Sequence, residues 1–495
     1  MKNAQGLLAS ASLALAVGTS TAQAADWIML QGTEPQDAGL YRIFGQVWAT
    51  YTSNYGCDEL EGLRAPNGTP TGGTTGGPTG NNGKLHNVCV VPPEFDQKSE
   101  LQLDNLMLGV RGNLIPGRIN YFTAVNAGEN LFNFLPFQTR RHVLATVQDA
   151  SVTLSYIPGA RVRAGLMKKP GPEEIQRAAP PDFVFPSTPI NQIMPDVLLR
   201  SNAYSRTGTP IPGQGYAGGV SSYGLDVDLG RDWGVQAFDA FKIDRWNLTY
   251  ALMWGYGNGI HLRENINPHK DLNAQFTAEY DLPGGKGPNK HGVKLYGYYQ
   301  QGERKFEIDA QGNTSDAFDR IRYGAGVRAL GELFGEGNGR HRLGFDAIFG
   351  EGMLFYSPAG NVVEGAVNNG VLGTAAEQGN KSRGFNLEYG YYLGEKWQFD
   401  ARLSQTNVLY DTSGIWQPWD ERKINDVTLG VTYYFTPMLK LAFNYQFRDY
   451  SAPNAVQPTA NTAAAINNAA VQTSNQDIVT DSVGDRIAMR LSWMF

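Results

Sequence analysis

Apolar and polar residues alternate with a period of two along most of the chain. In TLGVTYYF (428–435), Leu429, Val431, Tyr433 and Phe435 share one side. In KLAFNYQFR (440–448), Leu441, Phe443, Tyr445 and Phe447 stand against Lys440, Ala442, Asn444, Gln446 and Arg448. WQFDARLS (397–404) sets Trp397, Phe399, Ala401 and Leu403 against Gln398, Asp400, Arg402 and Ser404. RIAMRLSWMF (486–495) obeys the same rule, with Arg486 and Arg490 on its polar side. Such alternation predicts half-exposed strands. A soluble sandwich produces it too, so periodicity alone leaves the architecture open.

The pattern predicts sixteen strands, near 41–53, 100–113, 118–127, 143–157, 161–168, 232–241, 246–256, 271–281, 292–302, 319–330, 341–351, 381–393, 396–410, 422–435, 439–449 and 484–495. Many are about ten residues long, which suffices for a tilted strand to cross a bilayer. Strands 2, 3 and 6 have a blurred phase. The connections fall into two alternating classes. LIPG, IPGA, KIDR, EK and TPM are turn-like, and 282–291 and 331–340 are longer members of the same class. The other class is long: 54–99, 128–142, 169–231, 257–270, 303–318, 352–380, 411–421 and 450–483. Short turns at one end and long loops at the other mark an outer-membrane barrel. The predicted fold is therefore all-β: a 16-stranded antiparallel transmembrane β-barrel over 41–495, with short periplasmic turns and long extracellular loops. An even strand number returns both ends of the barrel to the periplasmic side.

The first residues, MKNAQGLLASASLALAVGTSTAQA, predict a secretory signal peptide over 1–24, cleaved after Ala24, and its apolar stretch is too short to span a bilayer. Residues 25–40 are then expected to form a periplasmic segment. The expected location is the outer membrane of a Gram-negative cell, in contact with its lipid and lipopolysaccharide. Phe495 resembles the terminal aromatic that barrel-insertion machinery reads.

The chain carries 41 basic and 47 acidic residues, which argues against a nucleic-acid partner. Cys57 and Cys89 are the only cysteines, and in an exported chain they most simply form one disulfide. Closing a loop of that length would constrain the unfolded chain by about 3–4 kcal/mol. They lack metal-binding spacing, and no CxxCH motif is present, so no metal or cofactor is expected.

Charge has to be sorted by face. An arginine or lysine on the lipid side at mid-membrane costs roughly 2–4 kcal/mol, so charges in the polar phase must point inward. That phase holds fifteen bases: Arg42, Arg111, Arg118, Arg161, Arg163, Lys294, Arg320, Arg322, Arg328, Arg342, Arg402, Lys440, Arg448, Arg486 and Arg490. It holds seven acids: Asp149, Asp271, Glu279, Asp346, Glu388, Asp400 and Asp426. The rest of the mature chain has 25 bases against 40 acids, so a basic wall is expected inside an acidic protein. Rings of Arg and Lys favour anions. The densest basic stretch, RVRAGLMKKPGPEEIQR, sends Arg161 and Arg163 inward and sets Lys168 and Lys169 where the longest loop begins. RIRYGAGVR follows with Arg320, Arg322 and Arg328. The expected anion path comprises these seven residues together with Arg42, Arg486 and Arg490. Arg–Asp and Arg–Glu cross-links within the barrel are the alternative use of the same charges.

Two loops stand apart. PNGTPTGGTTGGPTGNNG (66–83) is low-complexity and surface-facing. Residues 169–231 contain nine prolines without a period, and a loop of that length is usually functional. It is expected to fold into the barrel mouth as a constriction.

GVRGNLIPGRINYFTAVNAGEN, DASVTLSYIPGARVRAGLMKKPG, WNLTYALMWGYGNG and VTLGVTYYFTPMLKLAFNYQF resemble the phosphate-selective porin family of Gram-negative outer membranes. The resemblance implies a sixteen-stranded barrel, usually a homotrimer, that passes small anions by diffusion. It also implies that the stretch around Arg161, Arg163, Lys168 and Lys169 leads into the infolded loop. ERKFEIDAQGNTSDAF departs from a tight phosphate trap, because Arg304 and Lys305 share it with Glu303, Glu307, Asp309 and Asp316. An enzyme is not expected, since none of the six histidines lies mid-strand and no GxSxG accompanies them. The rival reading is a structural sleeve enclosing a redox or other partner.

Overall fold

The computed structural model describes residues 27–56, 59–60, 85–86, 97–128, 145–177, 182–194, 196–199, 225–228, 230–257, 259, 270–285, 290–305, 316–335, 337–356, 373–414, 416–481 and 483–495. Sixteen strands form one closed antiparallel barrel: β1 (Arg42–Tyr55), β2 (Gln97–Ile115), β3 (Ile119–Ala127), β4 (Thr146–Ile157), β5 (Ala160–Lys168), β6 (Arg231–Ile243), β7 (Trp246–Gly255), β8 (Asp271–Asp281), β9 (Gly292–Arg304), β10 (Phe318–Gly331), β11 (Arg340–Glu351), β12 (Lys381–Leu393), β13 (Trp397–Asp411), β14 (Arg422–Thr436), β15 (Leu439–Ser451) and β16 (Arg486–Met494). All sixteen predicted strands are present. Each strand pairs with its neighbours in sequence, and β1 pairs with both β2 and β16. Closure leaves no unpaired edge, which a bilayer requires because lipid offers backbone groups no partners.

The seam is completed beyond β16. The Phe495 amide donates to Gly45 O at 3.0 Å, and the Gly45 amide donates to Phe495 O at 2.9 Å. The Phe495 ring lies over Gly45, where a Cβ would stand 2.5 Å from Cζ. Glycine on β1 is what lets that ring settle against the backbone.

The barrel is apolar outside and polar inside. Leu106, Leu108, Leu252, Leu295, Leu387, Leu403, Leu429, Phe443 and Leu491 are exposed on the outer face. The largest fully buried side chains include Arg163, Arg320, Arg322, Arg342, Arg402 and Arg422. A soluble monomer rarely exposes an apolar surface of this extent, whereas hydrocarbon satisfies it. Aromatics gather at the short-turn end: Trp246 meets Tyr280 at 5.1 Å, Trp397 meets Tyr433 at 4.8 Å, and Trp493 meets Phe495 at 4.9 Å. That is the girdle expected at a membrane interface. Among the described residues no helix is long and apolar enough to cross a membrane.

The blurred strands have physical causes. At Asp104 a bulge shifts the β1–β2 register, so Leu101 and Leu103 face outward before it and Leu106 and Leu108 after it. A second shift, at Gln148, turns Asp149 inward. Strands β2, β3 and β6 also place Met107, Phe122 and Phe238 on the inner face.

Among the described residues four α-helices accompany the barrel: α1 (Trp27–Gly32), α2 (Glu173–Gln176), α3 (Thr188–Ile193) and α4 (Ala463–Asp481). Helix α4 lies in the connection 452–485, where the alternation predicts only a loop. Its alanine-rich sequence favours helix without displaying an apolar stripe. Cys57 and Cys89 lie outside the described residues.

Leu403, outward and midway along β13, is a direct probe of the two faces. Leu403→Arg is expected to destabilise the barrel by about 2–4 kcal/mol, measured by reversible denaturant unfolding from lipid vesicles. An unchanged midpoint would contradict the outward assignment.

Candidate functional site

Among the described residues, two chain segments outside the strands lie inside the barrel along its wall. The first is the N-terminal segment. Within residues 27–34, α1 lies against the inner wall. Ile28 and Met29 pack with Phe238 and Ala251, while Leu30 joins Met107, Phe122 and Phe44. The inward apolar residues of β2, β3 and β6 need such an apolar cover. A six-residue helix also leaves most of its carbonyls without internal partners, and wall arginines supply them. Arg163 donates to Ile28 O at 3.1 Å and to Gln31 Oε1 at 3.2 Å. Arg111 donates to Leu30 O and Thr33 O, both at 2.8 Å, and pairs with Glu34. Gln31 donates to Asp149, which Arg231 also holds.

The second segment is the start of the 169–231 connection. Its described parts, 169–177 and 182–194, run along the inner faces of β9 to β16. Glu173 pairs with Lys294 at 2.8 Å and Arg328 at 3.5 Å. Burial pushes the Glu173 carboxyl up, but Lys294, Arg328 and Arg177 more than reverse that and hold it below the usual carboxylate range. Arg177 meets Asp182 at 2.8 Å and Glu388 at 3.4 Å. Burial opposes its charge, yet Glu388, Glu173 and Glu174 hold its guanidinium above the ordinary value. Asp182 also pairs with Arg342. Phe183 lies beneath Arg402, 4.5 Å from the ring centroid, and Phe185 beneath Arg486 at 3.8 Å. Further along, Thr188 donates to Asp426. Helix α3 buries Ile190 and Ile193 against Tyr298 and Ile348.

Wall arginines close the segment's far end. Arg320 donates to Met194 O at 3.1 Å. Arg322 donates to Ile193 O, and to Gly352 O and Met353 O at 3.0 and 2.8 Å. One guanidinium thus ties the infolded segment to the connection that follows β11.

The ten predicted anion-path residues therefore separate. Arg163, Arg320 and Arg322 are fully buried and bonded to the inserted segments. Lys168 donates to Ile175 O at 2.6 Å, and Lys169 is buried beside it. Arg486 covers Phe185 and donates to Gln446. Arg490 bonds Thr50 and Asp104 between the two segments. Three side chains keep substantial exposure: Arg42 at 47%, paired with Glu34; Arg161 at 28%, paired with Asp239; and Arg328 at 23%. Arg118, read as inward, instead lies exposed in the β2–β3 turn beside Tyr156, because β3 begins one residue after it.

Face-sorting missed the carboxylates that come from outside the strands: Glu34, Glu173, Glu174 and Asp182. For Glu173 and Glu174 a signal was present, as the paired acids of KKPGPEEIQR within the densest basic stretch. Arg304 was read as loop; it ends β9 and grips Asp271 through two bonds of 2.7 and 2.8 Å.

No family model and no curated protein matches the chain. Solved structures similar to it include an anion-selective porin from Comamonas acidovorans, at 10% identity and a TM-score of 0.46, covering 93% of this chain and 100% of that one. OprB of Pseudomonas putida is similar at 12% identity and a TM-score of 0.46, covering 92% and 94%. The outer membrane channel DcaP of Acinetobacter baumannii is similar at 10% identity and a TM-score of 0.44, covering 92% and 97%. At these levels the likeness carries no functional inference, and the functional reading rests on this chain's own geometry.

Proposed function

We propose that the chain is an outer-membrane porin: a passive diffusion channel for small hydrophilic solutes that prefers anions, phosphate among them. The observation that carries this reading is the lumen itself. A closed barrel, apolar outside, has an inner wall rich in arginine and is narrowed by a segment tied to that wall. Carboxylates on the inserted segments reduce the basic excess of the wall but do not cancel it. Residues 169–231 serve as the constriction loop. Outer-membrane lipid and lipopolysaccharide are its surroundings, and a homotrimer is the assembly that the family resemblance supports. Cys57 and Cys89 are retained as a disulfide pair.

A broad anion pore fits better than a dedicated phosphate trap. Arg304 is committed to Asp271, and Arg320 and Arg322 to backbone carbonyls. Selectivity then falls to the more exposed bases Arg42, Arg161 and Arg328. The sleeve reading is disfavoured by the same geometry, because a sleeve would leave its lumen clear for the partner. No catalytic function is proposed.

In a planar bilayer under a KCl gradient, the purified protein is expected to give a reversal potential of the anion-selective sign. A cation-selective sign would overturn the reading. Arg161→Glu and Arg328→Glu are each expected to move that potential toward cations.

Arg322→Ala should behave differently. Hydrogen bonds from a charged donor are worth about 1.5–3 kcal/mol each, and this residue makes several to carbonyls of two connections. The expected result is an unchanged sign of selectivity with larger current fluctuations. Quiet currents with a shifted reversal potential would assign Arg322 to the ion path instead.

A further inference from the structure

We propose that the N-terminal segment, residues 27–34, is the opposite wall of the constriction, so that solutes pass between α1 and the infolded residues 169–177 and 182–194. This deepens the porin reading and rests on it.

Three independent features show that the barrel is built to hold α1. The first is an apolar cradle inside an otherwise polar lumen: Phe44, Met107, Phe122, Phe238 and Ala251 face inward where Ile28, Met29 and Leu30 cover them. Inward apolar residues on a water-filled wall would have no favourable contact, so the cradle implies an occupant. The second is a close fit. A Cβ at Gly32 would stand 2.0 Å from Phe238 Cζ, so only glycine allows the helix to approach that ring. The third is a polar clamp at the end of the helix, made by Arg111, Arg163, Asp149 and Glu34.

Position makes the occupied arc functional. Helix α1 covers the inner faces of β1 to β7, and the infolded segment covers those of β9 to β16. Both reach similar depths. Arg163 stands four residues beyond the β4–β5 turn and Arg328 three residues before the end of β10, each near the short-turn rim. A channel between them is bounded on one side by the chain's own N-terminal segment rather than by barrel strands. Arg163, predicted to meet the solute, is instead covered by this segment.

Two variants test the proposal in planar bilayers with KCl: deletion of residues 27–33, and Gly32→Ile, which leaves the cradle intact. A helix is about 10–12 Å across with its side chains, so its removal is expected to raise single-channel conductance about twofold. Gly32→Ile should raise it in the same direction. If the deletion fails to refold, Gly32→Ile decides alone. Parent and variants of equal conductance would overturn the proposal while leaving the porin reading intact. If neither parent nor variants conduct, the porin reading falls and the constriction falls with it. A silent parent with conducting variants would also overturn it, since α1 would then close the pore rather than bound a passage through it.

Discussion

A guanidinium on a membrane-spanning strand has to face inward and, once inside, has to be bonded. The first requirement follows from the cost of presenting charge to hydrocarbon. The second follows from the cost of leaving a charged group buried without partners. Together they explain why arginines dominate the largest fully buried side chains. They also explain why two segments of chain lie inside the barrel. Backbone carbonyls of residues 28, 30, 33, 193 and 194 accept from Arg163, Arg111, Arg322 and Arg320. Carboxylates of Glu34, Glu173 and Asp182 complete the pairing with Arg111, Lys294 and Arg342.

The lumen is thus divided rather than merely lined. Apolar contact fixes α1 on one arc, and cation–π and ionic contacts fix the infolded segment on the other. The arginines that hold these segments are spent on structure. Under the proposed porin reading, only the ones left partly exposed would set the field that a solute meets, so the abundance of base along the wall would overstate the number of residues that act on an ion.

The strands were legible in the sequence because each side of the wall meets a different solvent, and a period of two records this directly. KLAFNYQFR becomes β15 with Phe443 and Phe447 outward and Asn444 and Gln446 inward. Where the pattern blurred, the cause was physical. Asp104 and Gln148 sit at bulges, while Met107, Phe122 and Phe238 face inward because α1 covers them. That blurring was itself a sign of an inner apolar partner. The partners of the arginines were not legible, because Glu34 and Asp182 come from segments with no periodicity to place them. Helix α4 escaped for a related reason: AAAINNAAVQTSNQDIVTD has helix-forming residues but no stripe to mark a buried face.

The central claim is that segment 182–194 lies inside the barrel, bonded to the wall. Thr188 donates to Asp426 on β14, so the pair Thr188→Cys and Asp426→Cys tests it most directly, with Cys57 and Cys89 replaced by serine. Mild oxidation of the folded protein in lipid is predicted to join the two thiols, read as a shift in gel mobility that reductant reverses. Two thiols that stay unjoined, and that a bulky reagent modifies from the surrounding solution, would contradict the account.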